Sequence, residues 1–333
     1  MTLITTLIPA YKPTYLAEVF DGLARQRCQA FRVVVSDDSP GEEITARLRA
    51  GHFGAAAAAL DIEIVTGPRH ARLNMTSLID RWGGSTPYAH LHLDDDLIYP
   101  EFYSSHLAAH AQGRFCASAS MRWLSQLDTT PTECHDIPAP IAAGNLRVQA
   151  VDAQSMFQTM VPTGWNWVGE FTNMVISAEG ARHWPRTQAD EINYVGWPDV
   201  GFVLSAVQHL PLAFIHERLS VFRQHPAQTT HVRAQHGARV SHLAWAIYGL
   251  QAWAERRIND AQAVQAVSLC VRELLRLYPQ GDPVIDTFLD LVQHRGGNLG
   301  ALYAAVKPFW LALLASDPVT APVVAPRPVA AMA

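Results

Sequence analysis

The chain is poor in cysteine and charge, and it lacks both a basic cluster and a long uninterrupted apolar run. Its four cysteines, Cys28, Cys116, Cys134 and Cys270, are scattered over 333 residues with no C-x-x-C pair. That spacing writes neither a disulfide framework nor a zinc ribbon, and a reducing compartment is the simpler setting. Lys and Arg number 25 against 30 Asp and Glu, a formal charge of -5, with no Lys/Arg run. A nucleic-acid-binding surface is thereby excluded as the main function. No stretch reaches the roughly 20 apolar residues that cross a bilayer. The nearest, 299–314, contains Lys307 and Pro308. The opening MTLITTLIPAYKP has no basic n-region and meets Pro9 early, so it does not read as a signal peptide. A cytoplasmic protein is expected, extending at most to the inner face of the membrane.

What is present is an ordinary core-forming composition, 49% hydrophobic, and a length that suits one large α/β domain with an appendage. Apolar runs at 3–8, 31–36, 61–66, 88–93 and 115–121 alternate with helical repeats at 15–26, 42–49, 74–82 and 100–112. Strand–helix alternation at this spacing predicts a doubly wound, mostly parallel sheet. Ligands in such sheets bind beyond the carboxyl ends of the strands. Three of those ends carry chemistry: Pro9-Ala10-Tyr11, Asp37-Asp38 and Asp94-Asp95-Asp96. Residues 122–175 are irregular and include GWNWVGEFTN. A helix over 199–209 and a strand over 212–216 follow, and from about 238 to 314 the pattern is almost wholly helical. The Pro/Ala/Val-rich end, 317–333, predicts a disordered tail.

Three adjacent carboxylates repel one another, so the cluster at 94–96 calls for a positive partner. A divalent cation with oxygen ligands supplies one and can bridge a diphosphate. A solvated acidic turn at a helix start is the bland alternative. His90 and His92, with Asp94, also spell H-x-H-x-D, a metallohydrolase pattern. Asp95 stands where that pattern needs another His, and both histidines share one strand face. His106 and His110 lie at i, i+4 without the Glu of H-E-x-x-H, and they read as surface residues.

In order along the chain, TTLIPAYK, RVVVSDDSP, LDDDLIYP, GWPDVGFVLSA and VFRQHPAQT resemble the motifs of family 2 glycosyltransferases of the GT-A fold. The resemblance covers residues 1–230 and implies a GT-A nucleotide-sugar-binding and catalytic domain there. A helical C-terminal region, 231–316, and the tail, 317–333, would follow. It implies transfer of a sugar, with inversion, from a nucleotide-diphosphate donor expected to be UDP-linked. The acceptor would be a glycan, a lipid-linked glycan or a protein. Pro9, Tyr11 and Asp38 would hold the nucleobase side, with Asp37 supporting the loop. Arg72 would lie near the phosphates, or Arg69 in its place, because the chain reads Ala71-Arg72-Leu73-Asn74. Asp94 and Asp96 form a D-x-D that would hold Mn²⁺ or Mg²⁺ with His225, Arg223 lying beside it. Asp94 and Asp95 would also meet the nucleotide-sugar donor, and in another register Asp95 is the direct metal ligand.

Asp199 would be the general base, with Asp190 and Glu191 as fallbacks. The family's Glu before this Asp is replaced by Pro198, which suits a helix start. Trp165, Trp167, Glu170 and Asn173 would line the acceptor side, or else pack as core. The helical C-terminal region is open to three uses: covering an acceptor groove, a homodimer contact, or peripheral membrane docking. A non-catalytic sugar-nucleotide or glycan-binding module is the rival from outside enzymology.

Overall fold

Val, Ile and Leu runs flanked by turn residues form the first four strands: β1 (Ile4–Ala10), β2 (Phe31–Asp37), β3 (Ile62–Thr66) and β4 (Tyr88–Leu91). The computed structural model describes residues 1–126, 130–134, 136–144, 146–188, 190–224 and 236–316. The disordered-tail expectation for 317–333 lies outside the described residues. Helices α1 (Leu16–Ala24), α2 (Glu43–Arg49), α3 (Gly54–Ala58) and α4 (Ala71–Trp82) connect these strands. All pairings among β1 to β4 are parallel, in the order β3-β2-β1-β4.

The second half of the sheet is mixed. After β5 (Leu97–Ile98) and α5 (Phe102–His110) come β6 (Ala117–Ser125), β7 (Pro131–Cys134), α6 (Ala139–Ala142), β8 (Val148–Val151) and α7 (Ala153–Met160). Strand β9 (Met174–Ser177), inside the segment that reads as irregular in sequence, slots antiparallel between β4 and β6. Two short helices, α8 (Ala178–Ala181) and α9 (Pro198–Ala206), lead to β10 (Leu212–Arg223). That strand runs seven residues beyond the expected His216, because a register shift between Ile215 and Ser220 bends it. Its first part pairs with β8 and its far end with β5.

Both sheet faces are covered, as parallel strands require. Alternate residues of β1 and β2 divide between them: Ile4, Ile8, Val33 and Val35 meet α1 and α5, while Leu7 and Val34 face the other side. Helix α5 lies flat on its face, so His106 and His110 are buried rather than surface residues. His106 pairs Nδ1 with the Ser118 hydroxyl at 2.7 Å, and His110 pairs Nε2 with the Val175 carbonyl at 3.2 Å. Burial holds both imidazoles neutral.

The opposite face continues without a break into α10 (His236–Ala254), α11 (Asp260–Leu277), α12 (Pro283–Arg295) and α13 (Leu299–Ser316). Among the described helices, α13 is the one long and apolar enough to cross a bilayer. Its large side chains, Leu302, Val306, Trp310, Leu313 and Leu314, are buried in the core, and Ala301, Ala304, Ala312 and Ala315 are exposed. Tyr248 of α10 reaches the loop that leads into α9. Its hydroxyl accepts from the Trp197 amide at 2.9 Å and donates to the Tyr194 carbonyl at 3.1 Å. Gly196, between these residues, has no room for a side chain: a Cβ would lie 2.4 Å from the Ala244 methyl.

Candidate active site

Strand order reverses at β1, which has β2 on one side and β4 on the other. In open α/β sheets, ligands bind where the two connections leave in opposite directions. The chain turns out of β1 through Tyr11 and Lys12, whose backbone N–H groups both donate to Asp94 Oδ2, at 2.7 and 3.0 Å. This clasp ties the end of β1 to the aspartate turn that follows β4. Tyr11, 53% exposed, presents its ring to solvent beside it.

The pair closing β2 divides its labour. Asp37 accepts from the amides and hydroxyls of both Ser39 and Thr45. These bonds outweigh burial and hold its carboxyl below the usual range. It shapes the loop, as the sequence implies. Asp38 is also buried, and burial raises its pKa. One of its oxygens accepts from the Arg69 amide. A Cβ at Gly67 would sit 2.6 Å from that same oxygen. Arg69 itself is exposed, held at φ +59°. Arg72, in the first turn of α4, donates from Nη2 to the Gly196 carbonyl at 2.9 Å and so reaches the loop before α9.

The three aspartates have three different environments. Asp94 is partly open, and burial followed by the Asp95 charge pushes its pKa up to about 6. Asp95 is half-buried, and its carbonyl accepts from Arg223 Nε at 2.8 Å. Asp96 points inward: Oδ2 accepts from the Thr172 hydroxyl at 2.8 Å and Oδ1 from the Arg223 amide at 3.0 Å. It is 1% exposed, and burial with the charges of Asp95 and Glu170 raises its pKa. Each oxygen of Asp96 thus holds one hydrogen bond from within the protein, which ties the turn to the segments that carry Thr172 and Arg223. Arg223 completes that support by pairing with Glu18 at 2.7 Å and lying over the Tyr15 ring at 3.9 Å. His225 lies outside the described residues.

Neither His90 nor His92 opens into the cleft. His90 is fully buried, with Nδ1 on the Tyr103 hydroxyl at 3.0 Å and Nε2 on the Thr172 carbonyl at 2.9 Å. Since a carbonyl only accepts, Nε2 carries the proton and Nδ1 accepts from the tyrosine. The H-x-H-x-D pattern is therefore a buried polar layer under the aspartate turn, with both imidazoles closed off from solvent. Among the described residues, no three His, Cys, Asp or Glu side chains converge to cage a metal ion.

Asp199 stands in the first turn of α9. Its Oδ1 accepts from the Val200 amide at 2.8 Å and its Oδ2 from Asn166 Nδ2 at 3.0 Å. Burial and the neighbouring Glu170 charge push its pKa up to about 7. Asp190 and Glu191 lie exposed on the preceding loop. The segment from Asn166 to Asn173 joins base and aspartates. Asn166 bonds both the amide and the carbonyl of Gly169 at 3.0 Å. Glu170 pairs with the buried Arg122 at 2.7 Å. Thr172 reaches Asp96.

Of the four residues expected on the acceptor side, Glu170 comes to the cleft and Trp165 is half-buried against the core. Trp167 and Asn173, each 1% exposed, are packed inside. The Trp167 indole donates to the Thr159 hydroxyl at 3.1 Å and meets Phe214 edge-on. The Asn173 amide donates to the Ser120 and Val168 carbonyls. Arg122, Asn166 and Thr172 escape the sequence reading. Only Arg122 leaves a mark there, as a charge inside an otherwise uncharged strand.

No protein-family model matches the sequence, and no curated protein matches it. Solved structures do match by shape. S. aureus TarS 1-349 in complex with UDP aligns with a TM-score of 0.54 at 10% identity, over 94% of this chain and 90% of that one. The same protein in complex with UDP-GlcNAc aligns with a TM-score of 0.52 at 10% identity and the same coverage. At that identity the likeness is one of architecture, and the chain has a GT-A-like fold with a helical C-terminal extension.

Proposed function

We propose that the chain is a glycosyltransferase that moves a sugar from a nucleotide-diphosphate donor, UDP-linked, to a hydroxyl of a glycan, lipid-linked or protein acceptor. The observation that carries this reading is the placement of Asp94 and Asp199. One carboxylate is clasped by the Tyr11 and Lys12 amides at the strand switch. The other has a pKa near neutrality and is braced by Asn166. The segment from Asn166 to Asn173 links their two surroundings. The UDP and UDP-GlcNAc held by the structurally similar TarS support the donor class.

In this reading the exposed Tyr11 ring stacks on the nucleobase, and Asp38 receives a base N–H. Arg72 and Arg69 face the phosphates. Asp199 accepts the proton of the attacking acceptor hydroxyl as that oxygen bonds to the anomeric carbon. The bond to the diphosphate breaks, and a single displacement of this kind inverts the centre. A pKa near the working pH suits a general base.

A divalent cation fits one coordination mode. A closed cage is absent among the described residues, and each oxygen of Asp96 already accepts one hydrogen bond. Asp94 and Asp95 match the mode in which one or two carboxylates share Mg²⁺ or Mn²⁺ with substrate phosphates. Bound there, the ion would neutralise charge on the departing diphosphate.

The test is a panel of nucleotide sugars offered to the purified chain with and without Mn²⁺, read as release of nucleoside diphosphate. Metal-stimulated release from one donor is expected. Tight UDP binding with no release from any donor, in the presence of candidate acceptors, would return the chain to a sugar-nucleotide-binding module.

A further inference from the structure

A second cleft lies away from the aspartates. It encloses about 570 Å³ between α7 and the turn that joins α10 to α11. Arg257 on its wall donates to Gln208 at 2.9 Å, just past the end of α9. Asp199 occupies the first turn of that helix, so about nine residues at 1.5 Å rise place this wall roughly 13 Å from the base. The cleft is a separate place on the molecule.

Its lining is polar, with two guanidinium groups against one carboxylate, that of Asp260. Arg256 and Arg257 both face it, and among the described residues neither forms an ion pair. Arg257 Nε is buried and has no hydrogen-bond partner. Gln154 and Gln158, on successive turns of α7, offer exposed amides from the opposite wall. Trp253 lies between them, and its indole donates to Asp260 at 2.7 Å, which fixes the ring plane.

The backbone adds an independent sign. Arg256 sits at φ +60°, the left-handed residue that ends α10, with its amide on the Trp253 carbonyl at 2.9 Å. Glycine is the usual occupant of that position, and any other residue there is strained. Strain of this kind collects where a side chain has a task. Here the side chain placed at strain is the exposed guanidinium at the mouth of the cleft.

We propose that this cleft is a second binding site, for an oxyanion-bearing saccharide. Two guanidinium groups suit a carboxylate or phosphate. The paired glutamine amides suit hydroxyl groups, and a fixed, half-exposed indole suits the apolar face of a sugar ring. The site is independent of the donor-site reading and stands or falls separately from it.

The experiment is calorimetry on the full chain with five probes: hexagalacturonate, mannopentaose phosphate, neutral maltohexaose, hexaglutamate and UDP. At least one acidic saccharide should bind, more weakly as salt rises, and the two acidic saccharides distinguish carboxylate from phosphate. Removing one charged hydrogen-bond donor should weaken that binding about tenfold or more in Arg256→Ala, with a smaller loss in Gln158→Ala and UDP binding unchanged. Arg256→Gly removes the side chain but restores the residue favoured at positive φ. It should lose saccharide binding while keeping or raising the melting temperature, which separates lost recognition from lost folding. The proposal is overturned if neither acidic saccharide binds at millimolar concentration. It is equally overturned if maltohexaose or hexaglutamate binds as tightly, or if both Arg256 variants bind like the parent.

Discussion

Asn166 donates Nδ2 to Oδ2 of Asp199 at 3.0 Å, and its amide cannot be turned around. The second Nδ2 hydrogen goes to the Gly169 carbonyl, and Oδ1 receives the Gly169 amide. A flipped amide would set oxygen against both the carbonyl and the carboxylate. The bond therefore fixes one oxygen of Asp199, and the Val200 amide fixes the other.

Asp199→Asn should abolish transfer while sparing the donor site. The swap keeps size and one acceptor oxygen but cannot take a proton, so turnover should fall by about 10² to 10⁴. UDP affinity by calorimetry should not move. Asn166→Ala removes one bond to the base and should lower kcat about tenfold with donor KM unchanged. Asp190→Asn and Glu191→Gln should cost far less. A Glu191→Gln enzyme that loses transfer while Asp199→Asn keeps it would place the base upstream.

The pH profile follows from the raised pKa of Asp199, about 7 against an ordinary 3.8. The base works only when ionised, so kcat/KM should climb with a limb near pH 7, and Asp199→Asn should lack that limb. Stability runs the other way. A folded pKa above the unfolded one means the folded state holds the proton more tightly. The contribution is full below the unfolded pKa and lost as pH rises through the folded value. Melting temperatures of parent and Asp199→Asn should therefore diverge from acid toward about pH 8, with the parent falling relative to the variant. Parallel curves would show that Asp199 titrates normally.

Metal removal should separate the aspartates. Calorimetry with UDP should give binding in Mn²⁺ and much weaker binding in EDTA, and Asp94→Ala should erase most of that difference. Asp96→Ala strands the Thr172 hydroxyl and the Arg223 amide, each a buried donor worth about 1–3 kcal/mol when unsatisfied. It should lower stability in urea before it changes metal dependence. Equal UDP affinity with and without metal in the parent would sink the cation reading.

Gly169→Ala tests the segment between base and aspartates. The residue sits at φ +105°, and a Cβ would lie 2.4 Å from both Arg122 Nη1 and Asn173 Oδ1. Arg122 is buried and paired with Glu170, so it cannot retreat freely. A loss of about 2 kcal/mol or more in urea unfolding is expected. A variant as stable as the parent would mean the segment is looser than this packing implies.

The parallel half of the sheet was legible because each strand there is a run of β-branched and apolar residues between turn residues. Strand β9 was not, since four residues buried on both faces carry no alternation to read. The same blindness misplaced His106 and His110 and left Trp167 open between acceptor side and core: periodicity tells which residues share a face, and not whether a second layer covers it. The aspartate cluster was legible as chemistry, yet which of its members turns inward depends on Thr172 and Arg223, 76 and 127 residues away. Asn166 is one asparagine among aromatics, and only the contact with Asp199 distinguishes it.

Tyr248 lies in the helical extension, yet it holds the backbone on which α9 and Asp199 are mounted. Helices α10 to α13 and one face of the sheet share a single apolar core. Residues 1–230 cut from the rest would lose the tyrosine hydroxyl that receives the Trp197 amide, and the bare flank of α9 would meet water. A core so shared predicts that the two parts unfold together. A single transition, followed by tryptophan fluorescence from Trp197 and from Trp310 alike, is what this shared anchorage dictates.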